Sequence, residues 1–265
     1  MSQARDGVSA LRTALARFDP AADLMATDLV PFGLPSLDEG LGGGVRRGAM
    51  HEVYAAESEG HEVASAGFGL GMALRASRGG AFAWIRQDEA DAAVGRLHGA
   101  GLAAFGANPA CLTLVRVADA EGLFRAARDA LRCSGLGAVL AEAWGTSRSL
   151  DLTASRRLAL AASQSGVTLV MVRLGAAPAP SAAMTRWSVA AAASTPLEAN
   201  APGRPAFAVT LLRHRAGTPG GTWHLEWDRD RAVFAEPAPL PRPVVSVPAR
   251  RAAGARDEAA WRRAV

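Results

Sequence analysis

The chain has 265 residues with 49% apolar residues and a mean hydropathy of +0.09, enough to bury the core of one large domain or two small ones. Its 29 basic residues, set against 25 acidic ones, are all arginine, which excludes a Schiff-base lysine or the lysine of a phosphate-binding loop. No apolar run is long enough to span a membrane and no signal peptide is visible, so we expect a cytoplasmic protein without membrane contact.

Residues 1–28 are predicted to form a short amphipathic helix and a linker. From 29 to 235, short apolar runs alternate with helical patterns, which indicates an α/β core domain with a mainly parallel sheet. The strands of this pattern are predicted at 50–55, 81–86, 111–117, 137–143 and 167–173. The helices between them are predicted at 60–77, 88–101, 119–134 and 151–165.

After Pro180 the helical patterns stop, and strands are predicted at 184–192, 206–213 and 222–227 as an antiparallel extension of the sheet. From Glu236 the composition changes to prolines and then arginines, so we interpret 236–265 as a flexible basic tail. The histidines lack the spacing of a metal site, and we expect no metal. Cys111 and Cys133 are interpreted as buried small apolar residues.

The segment after the first core strand stands where a phosphate-binding loop occurs in parallel sheets. Such a loop has the form GxxxxGK[ST], in which lysine reaches the phosphates and the hydroxyl binds magnesium. The residues that occupy or lie within this frame are Ala55, Glu57, Ser58, Gly60, His61 and Glu62. An imidazole replaces the lysine and a carboxylate replaces the hydroxyl, so a triphosphate would be repelled. The alternative is an ordinary strand–loop–helix turn.

Residues 32–62, FGLPSLDEGLGGGVRRGAMHEVYAAESEGHE, resemble the start of the RecA ATPase core. The matching positions are Leu37, Asp38, Leu41, Gly42, Gly44, Gly48, Glu52, Tyr54, Glu57, Ser58 and Gly60. A second block, 119–144, is similar to the RecA helix that precedes the Walker B strand, and it places Glu142 near the Walker B aspartate with a one-residue gap. A third block, 209–228, is similar to the hairpin after the DNA-binding loops. The resemblance implies a RecA-like core.

Two departures from RecA are informative. Asp88 and Glu89 follow the second strand, where they are either a remnant of the catalytic glutamate or acids that begin a helix. Ten small uncharged residues, 174–183, replace the long DNA-binding loop and offer no arginine or aromatic ring to hold a single strand. Hydrolysis and filament formation on DNA are therefore expected to be lost.

A RecA-like core with a degenerate nucleotide loop and a basic Pro/Arg tail resembles the ImuA family, which is related to the cell-division inhibitor SulA. The resemblance implies a non-catalytic accessory role in damage-induced, error-prone translesion synthesis. It implies three partners, namely an ImuB-like inactive Y-family polymerase homologue, an error-prone C-family polymerase subunit and RecA. Direct DNA contact is expected to be weak or indirect. Alternatives left open are a weak RecA-like ATPase and a DNA-binding protein that acts through its arginine tail.

The tail is the second candidate site. Its arginines surround one tryptophan, a composition typical of a short docking segment, although a tail without fixed structure fits as well. The candidate partner-binding residues are Arg250, Arg251, Arg256, Trp261, Arg262 and Arg263.

Overall fold

The computed structural model describes residues 28–57, 60–215 and 220–237. In this part of the chain, β1 (Leu29–Val30) and β2 (Val45–Arg46) form a small antiparallel pair, and nine further strands form one mixed sheet. These nine are β3 (Met50–Ala55), β4 (Phe82–Gln87), β5 (Leu112–Val117), β6 (Ala138–Trp144), β7 (Thr168–Leu174), β8 (Thr185–Ala191), β9 (Ala206–His214), β10 (Thr222–Asp228) and β11 (Val233–Ala235). Their order across the sheet is β11-β10-β9-β8-β3-β7-β6-β4-β5, so β3 is central.

Six α-helices lie among the described residues, and none of them is long and apolar enough to cross a membrane. They are α1 (Pro35–Gly40), α2 (Glu62–Ser77), α3 (Asp88–Val94), α4 (Gly99–Ala104), α5 (Ala120–Ala130) and α6 (Leu152–Ser165). Helix α2 packs on the four central strands from one face of the sheet. Helices α5 and α6 pack on each other, and both contact the central strands.

Two apolar cores hold these layers together. The larger core includes Phe68 of α2, and Trp187 and Trp227 of the strands, all of them fully or almost fully buried. The second core joins α5 and α6 to the sheet through residues such as Leu123 and Met171. Because β3 has parallel neighbours and a core on each face, its six residues are buried or half-buried, as expected for a central parallel strand.

Most of the predicted elements are confirmed within one or two residues, and so is the mainly parallel sheet with an antiparallel extension. Helix α5 illustrates why: the Asp119 carboxylate accepts a hydrogen bond from the Gly122 amide at 2.7 Å and caps the helix. The apolar stripe of this helix is buried at Leu123, Ala127 and the following Leu131. The helix nevertheless ends at Ala130 instead of 134.

Two structural predictions were wrong in detail. The helix expected at 88–101 is divided into α3 and α4, because Gly95 adopts φ +88° and ends α3. The strand expected to begin the antiparallel extension, β8, instead pairs parallel with β3, and the antiparallel pairing begins at β9. The chain therefore adds a sixth parallel strand before it reverses direction.

The expected burial of the cysteines was also wrong: Cys133 is exposed and Cys111 is half-buried, because both lie at turns beside helix and strand ends. The sequence patterns did not predict β1, β2, α1 or β11, which are all six residues or shorter. The predicted N-terminal helix at 1–20 and nearly all of the basic tail lie outside the described residues. The division into three segments thus stays a prediction.

Candidate functional site

The turn from β3 to α2 is the place where the sequence predicts a degenerate nucleotide loop. The segment that leads into it is held by Asp38, whose carboxylate accepts hydrogen bonds from the amides of Phe32 and Gly33 at 2.6 and 2.9 Å. Gly44 is required in this segment, because a Cβ atom there would lie 2.4 Å from the Val30 carbonyl oxygen. The glycine and aspartate positions that match the RecA sequence thus fix the backbone conformation of the segment before β3.

Past β3, the backbone continues as an extension of the sheet. The Ala56 amide donates to the Val189 carbonyl at 2.9 Å, so it is not available to a phosphate. Ser58 and its neighbour Glu59 lie outside the described residues. Gly60 has φ +88° with open space around its missing Cβ, a conformation that favours glycine before the helix starts.

His61 stands immediately before α2 and contacts β8. Its ring Nδ1 accepts a hydrogen bond from the Ala191 amide at 3.2 Å, while its carbonyl accepts from the amide and the hydroxyl of Ser65 at 2.9 Å each. An acceptor role for Nδ1 requires that this nitrogen carry no proton. The residue in the lysine position therefore ties the helix start to the neighbouring strand.

An open cleft of about 370 Å³ lies between this turn and the segment after β7. It is lined by Ala55, Ala56, Glu57, Glu62, Gly175, Ala176, Ala177 and Pro178, and we call it the loop cleft. Among the described residues that line it, Glu57 and Glu62 are the charged ones, the first exposed and the second half-buried. No arginine of the described residues forms an ion pair with either carboxylate. The loop cleft is therefore negatively charged.

The Walker B-like residue Glu142 is fully buried on β6 and does not line the loop cleft. Its two carboxylate oxygens accept hydrogen bonds from Arg86 Nε and Trp84 Nε1, both at 3.0 Å. Burial raises the pKa of Glu142, and the adjacent Arg86 guanidinium partly opposes this shift. Arg86 also binds Asp91 and the Gly95 carbonyl. Both oxygens of Glu142 are thus already bonded within the protein.

Asp88 and Glu89 occupy the first turn of α3, a position that suits acidic residues. Asp88 forms a half-exposed ion pair with Arg116 at 2.6 Å, and Glu89 accepts a hydrogen bond from Gln87 at 3.1 Å. These contacts favour the interpretation as helix-starting acids.

The short segment that follows β7 is fixed to the sheet. The Ser181 hydroxyl donates to the buried Glu52 carboxylate at 2.6 Å, and the Ala182 amide donates to the Ser155 hydroxyl at 3.1 Å. Arg186 bonds to the same Glu52 carboxylate at 3.1 Å and to the Ser181 hydroxyl at 2.8 Å. The segment that replaces the DNA-binding loop is therefore anchored by an internal ion pair.

Beside this anchor, the Tyr54 ring lies between two guanidinium groups, 5.9 Å from Arg173 and 5.8 Å from Arg186. Arg173 Nε is buried without a hydrogen-bond partner among the described residues. Sequence reasoning missed these charged strand residues together with Arg86. Each could have been noticed in the sequence as an arginine inside an otherwise apolar strand: Arg86 in WIRQ, Arg173 in MVRL and Arg186 in TRWSV.

The candidate tail residues Arg250, Arg251, Arg256, Trp261, Arg262 and Arg263 lie outside the described residues, so their role stays a prediction. Within the described residues, no group of three or more metal-ligating side chains could hold a metal ion.

The fold is similar to that of the RadB recombinase crystal structure, with a TM-score of 0.52 and 15% identity. This match covers 79% of this chain and 100% of RadB, and it confirms the RecA-like fold class. No protein-family model matches the sequence.

Two curated relatives give a closer match. Protein ImuA of Caulobacter vibrioides strain NA1000 / CB15N is 34% identical over 215 residues, which cover 76% of this chain and 84% of the relative. Protein ImuA of Caulobacter vibrioides strain ATCC 19089 / CIP 103742 / CB 15 matches to the same extent. Because the match extends through most of both proteins, this chain belongs to the ImuA family.

Proposed function

We propose that this ImuA-family protein is a non-catalytic accessory protein of damage-induced, error-prone translesion DNA synthesis. It acts in the cytoplasm as an adaptor or modulator of the mutasome polymerase complex and of RecA. Its partners are an ImuB-like inactive Y-family polymerase homologue, an error-prone C-family polymerase subunit and RecA. Membership of the ImuA family supports the general role, and the loop cleft supports the absence of catalysis.

The main observation in support of a non-catalytic role is the pair of carboxylates in the loop cleft. A working phosphate loop surrounds the nucleotide with backbone N–H groups and a lysine. Here Glu57 and Glu62 line the space instead, and the Ala56 amide is bonded to β8. At a separation of about 5 Å and an effective dielectric of about 20, each carboxylate–phosphate charge pair is repelled by about 3 kcal/mol. A triphosphate with several charges would accumulate a prohibitive penalty.

The Walker B position supports the same conclusion. In an active ATPase this acid orients a magnesium ion through its free oxygens. Glu142 has both oxygens bonded to Arg86 and Trp84. A cation from the protein thus stands beside the buried carboxylate, and a metal would have to displace two hydrogen bonds.

Mutation frequency after ultraviolet irradiation tests the proposed function. Cells that lack the gene should show little induced mutagenesis, and a plasmid copy of the wild-type gene should restore it. A copy with His61→Ala should restore it as well, because the accessory role needs no chemistry at this position. The same mutation frequency in cells with and without the gene would contradict the role, and failure of His61→Ala with normal protein levels would support the weak-ATPase alternative.

A further inference from the structure

Helices α5 and α6 form the outer layer on one face of the sheet, and their solvent side carries unpaired positive charge. The exposed arginines whose side chains form no hydrogen bond or ion pair within the described residues are Arg96, Arg125, Arg132, Arg148, Arg156, Arg157 and Arg231. Five of these seven lie on α5 and α6 or in the turns next to them. Asp119 and Asp151 cap the two helices, and α6 itself contains no acidic residue. The layer therefore lacks the counter-charges that exposed arginines have elsewhere.

The arginines of the two helices face each other across the seam between α5 and α6. The helices pack side by side and run in the same direction, because each lies in a right-handed crossover between parallel strands. Arg128 and Arg132 each follow a buried residue of the α5 stripe, whereas Arg157 directly precedes the buried Leu158 of α6. In two right-handed helices arranged in this way, these flanks border the same seam. We call this seam the α5–α6 groove.

An exposed leucine lies beside this charge. Leu160 is 57% exposed, and it follows Arg156 and Arg157 by one turn of α6, so the three side chains share the outer side of the helix. An apolar side chain gains nothing from contact with a phosphate backbone. An apolar contact with a rim of charged residues is instead the composition of a protein–protein interface. The surface thus favours a protein over a nucleic acid.

We propose that the α5–α6 groove binds an acidic amphipathic helix of a partner protein. Carboxylates of this helix pair with Arg128, Arg132 and Arg157, since a guanidinium group binds a carboxylate through two parallel hydrogen bonds. Its apolar residues pack on Leu160. A helix fits because the groove between two packed helices accepts side chains spaced by one helical turn. The inference rests on the proposed function in one respect, that a partner protein docks on this chain, and it adds the place and the chemistry of docking.

Fluorescence anisotropy of the full chain with a labelled synthetic peptide tests this proposal. The probe is a helical peptide with leucines along one face and glutamates beside them, and a second peptide has the same residues in scrambled order. The first should bind saturably and more tightly than the second, with an affinity that falls as the salt concentration rises. The double variant R132Q/R157Q should weaken binding of the first peptide at least about threefold, since two exposed ion pairs are lost.

The matched control is R96Q/R231Q, which removes the same charge from the two exposed and unpaired arginines outside this layer. It should leave the affinity unchanged, and the arginines of the tail are present in every variant. Leu160→Ala should weaken binding without changing its salt dependence, because it removes an apolar contact.

Three results would overturn the proposal: no binding of the acidic helix, equal binding of the scrambled peptide, or equal losses in the two double variants. A labelled oligonucleotide that binds through Arg132 and Arg157 while the acidic helix does not would also overturn it, by assigning the groove to nucleic acid. The readout involves neither mutation frequency nor the proposed partners. Failure of the docking proposal and failure of the proposed function are therefore distinguishable.

Discussion

Replacement of Arg86 by alanine should destabilise the fold strongly. The Arg86 and Glu142 side chains are 4% and 0% exposed, and Arg86 also binds Asp91 and the Gly95 carbonyl. In the Arg86→Ala variant, the Glu142 carboxylate loses its counter-ion while it stays buried. Breaking a buried ion pair from one side costs about 3–5 kcal/mol. For a domain of this size we expect the melting temperature to fall by about 6–20 °C.

The stability lost in the Arg86→Ala variant should decrease as the pH falls. Burial raises the pKa of Glu142 and Arg86 lowers it, so removal of Arg86 leaves the effect of burial unopposed. A carboxyl whose pKa is higher in the folded state than in the unfolded state favours folding at low pH, and this contribution is lost as the pH rises through the folded-state pKa. The difference between the wild type and Arg86→Ala should therefore shrink from about pH 8 to about pH 5.

Differential scanning calorimetry across this pH range measures both effects. Arg116→Ala is the matched control, because Arg116 is 48% exposed and, of its two partners, Asp88 is half-exposed and the nearly buried Asp91 keeps its ion pair with Arg86. That variant should lose at most about 1 kcal/mol. The reasoning is refuted if Arg86→Ala is no less stable than Arg116→Ala, or if its deficit does not decrease on acidification.

Three further predictions concern binding and catalysis. His61→Lys should not create ATPase activity in a phosphate-release assay, because Glu57 and Glu62 remain; measurable turnover would show that lysine alone was missing. Fluorescence anisotropy should show that single-stranded DNA binds only through the tail, with an affinity that falls steeply as the salt concentration rises. Salt-resistant binding by residues 1–235 would contradict the inference that the anchored segment after β7 does not bind DNA. Trp261→Ala should weaken binding to ImuB-like protein or RecA at least about tenfold in a pull-down titration, with the melting temperature unchanged. Unchanged affinity would indicate that the partner binds the core and not the tail.

The fold was largely predictable because its determinants are local. Apolar runs of five to seven residues, glycines at helix ends and the Asp119 cap each specify an element without long-range information. The direction of β8 was not predictable in this way. Whether that strand pairs parallel or antiparallel depends on where the preceding segment crosses the sheet, and the Ser181–Glu52–Arg186 contacts that fix this path join residues up to 134 positions apart.

The candidate site was predictable in composition but not in contacts. The sequence identified Ala55, Glu57, Gly60, His61 and Glu62 as the turn after β3. It could not show that Nδ1 of His61 accepts from the β8 amide, or that the Walker B-like Glu142 is paired with an arginine of β4. Both contacts depend on which strands are neighbours, and the strands at issue, β3 with β8 and β4 with β6, are far apart in the chain.

Isothermal titration calorimetry of the full chain with ATP and magnesium tests the central claim most directly. The claim is that a RecA-like fold has kept its framework while the nucleotide loop has become a negatively charged cleft. The account predicts no saturable heat at ATP concentrations up to about 1 mM, which corresponds to a binding free energy no better than about −4 kcal/mol. A micromolar dissociation constant that Glu142→Gln or His61→Ala weakens would show a functional nucleotide site and contradict the account.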